Sequence, residues 1–500
     1  MAMMGTGPGP HDRAPNLQDY VIVELRHDSG VTHSPRRERF EGGGDAEVHA
    51  RELNGILAGH RIRRLSSRFG ARPGSLRTRA TAPMSLRAPV PADFAHAGFV
   101  QIVPHRDADV GALADELGQH DAVWKAVPAA HPVPAAQPRM ESGLPTGKSR
   151  ASRNFQPAQG YLYEAPDGIG AVEAWGSAGG AGRGVTICDI EMNWNRAHEA
   201  LPRGIRLLGG RLYPDDDLRS HGAAVLGMLV SPPKATGTMG ACHEATAVVR
   251  SFLTSRPGPE EADSGYHHNL AVAITTAAEE LSAGDIIQLE VQAALTPGGH
   301  DYVAIQYWDD VGSAIRAAVA RGICVVEAAA NQGVDFDAAP FAGSGLQRDY
   351  GAIVVGAGSP PTNHYGAATM LQLPQIQPLG RMGAPRSRMF FSNYGSGIVN
   401  LQGWGYNVAT LGYGDAQGGG QNRWYTLRFA GTSSATPCVT GAVALVQAYA
   451  RERHGAPLSP AEVRELLVRT GTPQAPDPEA PVSQHIGPQP NVPAALEALG

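Results

Sequence analysis

A serine that could act as a nucleophile lies in Gly431-Thr432-Ser433, just before a long apolar run. The glycine and threonine form a tight bend, and the apolar run predicts a helix from about Ser434 to His454. Ser433 would then lie at the positive end of a helix dipole, beside free backbone N–H groups. That setting suits a nucleophile whose reaction develops an oxyanion. A helix N-cap is the competing interpretation, because serine and threonine commonly cap helices.

Two further side chains could complete acyl-transfer chemistry. Asp189 ends the run Gly184-Val-Thr-Ile-Cys-Asp, which predicts a buried parallel strand with a carboxylate at its carboxyl end. His221 precedes a row of small residues and is predicted to open a helix. Taken singly, Asp189 would cap the next turn, and His221 would cap a helix or lie on the surface. Together with a serine, they supply a nucleophile, a general base and a group that orients the base.

The order of these segments resembles that of the subtilisin-like serine proteases (subtilases). Residues 431–441 follow the family's nucleophile pattern, Gly-Thr-Ser-x-Ala-x-Pro-x-Val-x-Gly. The run from His221 resembles the family motif His-Gly-Thr-x-Val-Ala-Gly, with Ala223 in place of threonine. The chain order Asp, His, Ser is also that of subtilisin. The resemblance covers about residues 159–500 and implies an endopeptidase with an α/β fold, a doubly wound and mostly parallel sheet.

The resemblance also implies a role for each matched residue. Ser433 would attack the peptide carbonyl, His221 would transfer the proton, and Asp189 would orient the imidazole. Asn331, in Ala-Ala-Ala-Asn-Gln-Gly, matches the side-chain donor of the family's oxyanion hole. An asparagine that makes a turn before Gly333 is the alternative. The matched substrate groove comprises Glu290, Val291, Gln292, Ala328, Ala329 and Ala330.

Several residues depart from the family pattern. Glu191 stands two residues after Asp189, where the family has glycine, and Ala330 also replaces a glycine, which would narrow the groove slightly. Glu290 replaces the serine of the family's Ser-Leu-Gly. On the groove wall this carboxylate would favour cationic substrate residues, whereas turned inward it would pair internally. Glu327 lies in an apolar strand and requires a partner.

Three other functions stay open on the sequence alone. A sedolisin-like acid protease would share the fold but use glutamate in place of histidine, and the intact His221 motif argues against it. A catalytically silent, peptide-binding subtilase fold is suggested by the departures at Glu191 and Glu290. A peptide-maturation protease or transpeptidase would use the same chemistry and differ only in its products.

The first quarter of the chain carries a different pattern. In residues 19–128, strand-like and helix-like segments follow the order β-α-β-β-α-β, which predicts a small α+β ferredoxin-like domain. Its place before the subtilase-like region resembles the subtilase propeptide and implies an intramolecular inhibitor; an unrelated α+β module is the alternative. Residues 1–18 predict a disordered tail, and residues 129–158 an exposed linker before a peptidase domain at 159–500.

Composition narrows the range of partners. The 500 residues are 42% hydrophobic and carry a formal net charge of −6 at pH 7, so neither nucleic acid nor an anionic membrane is an expected partner. The resemblance implies a protein or peptide substrate. We find no secretory signal and no apolar stretch of about 20 residues, and expect a cytoplasmic protein or one exported by an unrecognised route. The four cysteines lie in predicted core elements, which indicates buried free thiols.

The proposed chemistry requires no cofactor. Members of the subtilase family often bind calcium, but we find no Asp-rich loop with the ligand spacing of a calcium site. Asp215-Asp216-Asp217 is a candidate for structural calcium, and a solvated turn is the alternative.

Overall fold

The computed structural model describes residues 20–26, 28–34, 37–67, 98–105, 108–129, 132–134, 152–254, 267–295, 301–361 and 383–500. The predicted tail at 1–18 and most of the predicted linker lie outside the described residues. Within those residues, no helix combines the length and the apolar character that a membrane span requires.

The N-terminal unit is a four-stranded antiparallel sheet with two helices. Its elements are β1 (Val21–Leu25), β2 (Thr32–Ser34), β3 (Arg39–Glu41), α1 (Ala46–Gly59), β4 (Ile62–Ser67), β5 (Phe99–Pro104), α2 (Val110–Gly118) and β6 (Val123–Pro128). The sheet order is β4-β5-β1-β6, and every neighbouring pair is antiparallel. Apart from the hairpin β2–β3, the chain follows the β-α-β-β-α-β order of a ferredoxin-like unit.

From residue 132 onward the chain alternates strands and helices. The strands are β7 (Pro132–Pro134), β8 (Thr186–Glu191), β9 (Arg206–Leu207), β10 (Thr246–Ser251), β11 (Leu253–Thr254), β12 (His267–His268), β13 (Ile286–Leu289), β14 (Val291–Ala294), β15 (Tyr302–Ala304), β16 (Cys324–Ala328), β17 (Ile353–Gly358), β18 (Val399–Trp404), β19 (Val408–Leu411) and β20 (Tyr425–Phe429). The helices are α3 (Ala171–Ala174), α4 (Asp216–Val230), α5 (Leu270–Glu280), α6 (Asp309–Ala320), α7 (Thr432–His454), α8 (Pro460–Thr470) and α9 (Val492–Leu499).

Seven of these strands form one parallel sheet in the order β18-β17-β16-β13-β8-β10-β9. From β8 the chain first adds β9 and β10 on one side, then β13, β16, β17 and β18 on the other. The direction of winding therefore reverses between β8 and β13. Ligand sites of such sheets gather at the carboxyl ends of the strands beside this reversal. The predicted α/β, doubly wound fold is confirmed.

Each face of the sheet buries its own apolar cluster. α4 and α7 belong to the cluster that receives Ile187 and Ile286, whereas α5 and α6 belong to the one that receives Cys188 and Ile287. Because side chains alternate along a strand, polar residues that follow Ile187 and Ile286 at intervals of two also face α4 and α7. All four cysteines are buried free thiols, as predicted.

Two helices begin earlier than the sequence analysis predicted. α4 begins at Asp216, and Asp215 caps it by accepting a hydrogen bond of 2.9 Å from a backbone N–H of the first turn. His221 therefore lies in the second turn, and the aspartate run forms a helix cap and first turn. α7 begins at Thr432, which places Ser433 inside its first turn.

Ala330 has a backbone conformation that alanine rarely adopts. It lies two residues after β16, and its φ of 76° falls in the left-handed region. A Cβ in that region costs about 1–2 kcal/mol, so glycine would fit the position without strain. The carbonyl of Ala330 accepts a hydrogen bond of 3.0 Å from the N–H of Asn393, which holds the strained turn in place.

Ala330→Gly should leave the free energy of unfolding unchanged or raise it by up to about 1 kcal/mol, because relief of the strain offsets the greater freedom of glycine in the unfolded chain. Ala329→Gly, at a buried neighbour without a positive φ, is the matched control and should lose about 1 kcal/mol. Urea denaturation followed by circular dichroism measures both. A larger loss for Ala330→Gly than for Ala329→Gly would contradict the strain.

Candidate active site

Four polar side chains meet where the parallel sheet reverses its winding. β8 carries Asp189 and ends with Glu191, while β13 carries Gln288 and is followed by Glu290. The parallel register sets Gln288 opposite Asp189. All four side chains are buried. By alternation they face the side of the sheet that α4 and α7 cover.

His221 reaches this cluster from α4. Its Nδ1 lies 2.7 Å from Glu191 Oε2, and each side chain is only 2% exposed. Gly222 permits the close approach of the helix, since a Cβ there would lie 2.3 Å from the carbonyl oxygen of Asn193. Phe429 packs against the imidazole edge to face, with the ring centres 5.5 Å apart. The imidazole is therefore held in one orientation, with Glu191 at Nδ1.

The predicted partner of His221 is Asp189, but the observed partner is Glu191. Asp189 forms its hydrogen bonds with two other side chains. Asp189 Oδ2 accepts from Trp194 Nε1 at 2.7 Å, and its Oδ1 accepts from Gln288 Nε2 at 3.3 Å. Asp189 lies two residues deeper in β8. Glu191 ends the strand and its side chain is one methylene longer, so its carboxylate reaches α4. The period of two puts both acids on the same face, which is why the sequence pattern did not separate them.

Ser433 lies in the first turn of α7, after a glycine that other residues cannot easily replace. Gly431 is the N-cap residue, and its φ of 102° is strained for any residue with a Cβ. Ser433 is buried, and its Oγ has no hydrogen-bond partner among the described residues. The interpretation of Ser433 as a capping side chain is therefore wrong. The buried Nε2 of His221 likewise has no hydrogen-bond partner among the described residues.

Burial dominates the protonation of this site. It raises the pKa of Asp189, Glu191 and Glu290 well above their usual range, and repulsion between the acids adds to the rise for Asp189 and Glu290. The hydroxyl of Ser433 partly opposes the rise at Glu290. Burial also lowers the pKa of His221 to about 4, against the attraction of Asp189. The site therefore holds fewer charges than it has titratable groups.

Asn331 lies against the backbone of the residue that precedes Ser433. Its Oδ1 accepts hydrogen bonds from the N–H of Thr432 at 2.8 Å and from Thr432 Oγ1 at 3.2 Å. Gln292 Oε1 accepts from the Asn331 N–H at 3.0 Å and from Asn331 Nδ2 at 3.4 Å. These bonds fix the orientation of the amide. Gln292, predicted only as a groove residue, thus positions Asn331.

The predicted groove residues flank this site. β14 contains Val291 and Gln292 and pairs antiparallel with β15 on one side and β7 on the other. Glu290 is fully buried and forms no ion pair within the described residues. The predicted preference for cationic substrates stays a prediction. The remaining groove residues, all fully buried, are Ala328, Ala329 and Ala330.

Several residues of the site lie outside the motifs that identify Ser433, His221 and Asn331. Glu191 could have been found from the rule that functional carboxylates lie at the carboxyl ends of parallel strands, because it is the last residue of β8. Trp194 and Gln288 belong to no motif, and only the fold brings them to Asp189. The partner of Glu327, which the sequence left unnamed, is the backbone N–H of Gln306 at 2.9 Å, and burial raises the pKa of this acid to about 8.

One group of three side chains among the described residues could hold a metal ion, and it lies in the N-terminal unit. It consists of His49, Glu52 and His120. His120 Nδ1 accepts a hydrogen bond from the N–H of Ala122, so its Nε2 carries the proton and donates to Glu52 at 3.1 Å. A metal ion at this Nε2 would have to displace that proton.

Comparisons with known proteins agree with the fold and the motifs. Residues 210–487, more than half of the 500, match the family model described as Peptidase S8, the subtilase family. The major intracellular serine protease of Bacillus subtilis is 26% identical over 325 residues, which span 62% of this chain and 84% of that protein.

Solved structures provide a second comparison. Fervidolysin from Fervidobacterium pennivorans, a keratinolytic enzyme related to subtilisin, aligns with 98% of this chain and 62% of its own chain, at 13% identity and a TM-score of 0.52. A protease from Pseudoalteromonas arctica aligns with 70% of this chain and 100% of its own, at 18% identity and a TM-score of 0.46.

The parallel sheet, with its reversal at β8 and β13, is the fold that the resemblance implied. The match of residues 210–487 includes the segments that contain His221, Asn331 and Ser433. On this evidence the chain belongs to the subtilase family of serine proteases.

Proposed function

We propose that this subtilase is a serine endopeptidase in which Glu191, rather than Asp189, orients the general base. Ser433 attacks the peptide carbonyl, and His221 Nε2 takes its proton and later gives it to the leaving amine. Glu191 accepts a hydrogen bond from the Nδ1–H of His221 and stabilises the imidazolium. The observation that carries the proposal is the buried hydrogen bond of 2.7 Å between His221 Nδ1 and Glu191 Oε2.

The ionised form of Glu191 is the one that supports catalysis. An ionised carboxylate accepts a hydrogen bond from Nδ1–H and so keeps the ring proton on Nδ1, which leaves the lone pair of Nε2 available for the Ser433 hydroxyl. A protonated Glu191 would instead donate to Nδ1 and put the ring proton on Nε2. Because burial lowers the pKa of His221 to about 4, the imidazole of the free enzyme stays uncharged at neutral pH and can act as a base.

Asn331 and the N–H of Ser433 would stabilise the oxyanion. The hydrogen bonds of Asn331 with Thr432 and Gln292 support this role, because they hold the amide beside the nucleophile before substrate arrives. A donor fixed in advance needs no reorganisation when charge develops on the carbonyl oxygen. One such donor lowers the barrier by about 3–4 kcal/mol.

We further propose that the N-terminal unit restrains the enzyme. The segment β7 pairs antiparallel with β14, and Val133 lies opposite Gln292, so this part of the chain adds to the groove strand as an extended peptide would. Lys125 on β6 forms an ion pair of 2.8 Å with Asp309 at the start of α6. Covalent tethering gives such a contact an effective concentration of about millimolar, so even weak docking would block the groove.

Labelling with a fluorophosphonate separates an active protease from a silent peptide-binding fold. Wild type should be labelled and should cleave peptides, and Ser433→Ala should lose both, with a fall in kcat of about a millionfold. Ser433→Ala/His221→Ala should be no slower than Ser433→Ala, because the two residues act as a unit. A wild-type chain that folds but is not labelled would show that the proposed activity is wrong.

Glu191→Gln and Asp189→Asn form a matched pair that distinguishes the two acids. Glu191→Gln should lower kcat by about 10³–10⁴-fold, because the amide cannot hold the proton on Nδ1. Asp189→Asn should lower it by less than about tenfold, because an amide oxygen still accepts from Trp194. Steady-state kinetics, with thermal melts to establish folding, measure both. A greater loss in Asp189→Asn than in Glu191→Gln would restore the assignment made from the sequence.

Glu24 makes the contact between the N-terminal unit and α6 depend on pH. Burial and the neighbouring Asp309 raise its pKa to about 7, against the attraction of Lys125 and Arg348. In the released unit the pKa would return towards its usual 4.5. The docked unit therefore binds this proton more tightly, so the contribution is complete below about pH 4.5 and is lost as the pH rises to about 7.

Glu24→Gln, which cannot ionise, should remove this dependence. We expect the ratio of wild-type to variant peptidase rates to be near one at about pH 5 and several-fold higher at about pH 7.5, where only the wild-type contact has weakened. Initial rates with a fluorogenic peptide measure the ratio in full chains. Asp115→Asn, which removes an exposed acid of α2, is the control. A ratio that is the same at both pH values would count against the proposed restraint.

A further inference from the structure

Glu290 is a buried carboxyl group that the proposed reaction does not use. It follows β13, beside the reversal of the sheet, and its side chain is fully buried. Neither of its carboxyl oxygens has a hydrogen-bond partner of ordinary geometry among the described residues. Ser433 lies on α7, which packs against β13, and its buried Oγ is likewise without a hydrogen-bond partner among the described residues. Its hydroxyl acts on the protonation of Glu290, so the two side chains are neighbours.

The surroundings of Glu290 offer no compensating cation. Asp189 and Glu191 face it from β8, and both disfavour its ionisation. The thiol of Cys438 lies five residues after Ser433 on α7, and burial together with the charge of Glu290 raises its pKa. Within the described part of the chain, no lysine or arginine forms an ion pair with it. The groups that face Glu290 are therefore Asp189, Glu191, Ser433 and Cys438. His221 is linked to it indirectly, by its hydrogen bond to Glu191.

Among the three acids, Glu290 is the one best suited to hold a proton. Asp189 accepts hydrogen bonds from Trp194 and Gln288, and Glu191 has the imidazole of His221. Such donors stabilise an anion, and Glu290 has only the hydroxyl beside it. Three acids this close cannot all ionise together, and the anion with the fewest donors is the least stabilised of the three.

We propose that Glu290 is a positioning residue for Ser433 and that it works only in its protonated form. As a neutral acid, its O–H donates to Ser433 Oγ and leaves the hydroxyl's own hydrogen free to point towards His221 Nε2. As an anion, it accepts that hydrogen itself, competes with His221, and adds negative charge beside the developing oxyanion. The inference rests on the proposed role of Ser433 as the nucleophile.

A fall in rate at alkaline pH follows from this arrangement. Because the protonated form of Glu290 is active, the reactivity of Ser433 decreases as the pH rises through the pKa of Glu290, and the proton goes to solvent. Ionisation of Glu191 acts in the opposite direction, but it is common to wild type and Glu290→Gln and cancels in the ratio of their rates. The decrease should approach tenfold per unit of pH, since one proton is involved. It should be measured above about pH 7, where the contribution of Glu24 to docking has already been lost.

The test is the pH dependence of fluorophosphonate labelling of Ser433 in full chains, from about pH 7 to about pH 10. Glu290→Gln carries a neutral donor that cannot titrate in this range. We expect it to lower the plateau rate by about three- to tenfold, because an amide is a weaker donor than a carboxylic acid, and to abolish the alkaline fall. Glu327→Gln, at a buried acid on β16 that bonds Gln306, is the matched control and should keep the wild-type fall.

Each outcome bears on one proposal. A ratio of wild-type to folded Glu290→Gln labelling rates that stays constant from about pH 7 to about pH 10 overturns the inference. A folded Glu290→Gln chain that is unlabelled at every pH also overturns it, because the ionised form would then be required. Glu290→Met, of similar length and without charge, takes the place of Glu290→Gln if that variant fails to fold. Wild type that is never labelled overturns the proposed function instead.

Discussion

Glu191 and His221 form a hydrogen bond between two buried side chains, and the rest of the site must compensate for the burial of this ionisable pair. Burial of an ionisable pair costs several kcal/mol unless neighbouring groups compensate. Here no lysine or arginine among the described residues pairs with the acids of the site. Protons and neutral donors provide the compensation. Trp194 and Gln288 satisfy Asp189, which keeps a second acid close to the imidazole without placing it in contact.

The backbone arrangement alone brings these side chains together. The reversal between β8 and β13 sets the carboxyl ends of two neighbouring strands side by side, and α4 and α7 cover the same face. Gly222 lets α4 approach the loop after β8, and Gly431 makes the turn that begins α7. The order of the sheet and two glycines thus determine a site whose reacting groups come from distant parts of the sequence.

Much of this arrangement could be predicted from the sequence, because it depends on local patterns. The α/β fold follows from apolar strands that alternate with helices, and the turn at Gly431-Thr432 identifies the segment that begins α7. The acid partner of His221 could not be predicted in the same way. The choice between Asp189 and Glu191 depends on where β8 ends, and β8 extends to Glu191 because Ser251 pairs with it from β10. Long-range pairing of this kind leaves no signal in a single strand. Two local conformations could not be predicted either. Asp215 caps α4, and Ala330 has a strained φ of 76°. Residue type alone does not determine such dihedral angles.

The pairing of β7 with β14 has a consequence for aggregation. β14 has β15 on one side, so without β7 its other side would present unpaired N–H and C=O groups to solvent. Such an edge is a template for strands of other molecules and promotes aggregation. β7 begins and ends with proline, which has no N–H to donate and therefore extends a sheet poorly. The pairing of β7 with β14 thus also protects an edge that would otherwise recruit further strands, and the folded chain has that edge already closed.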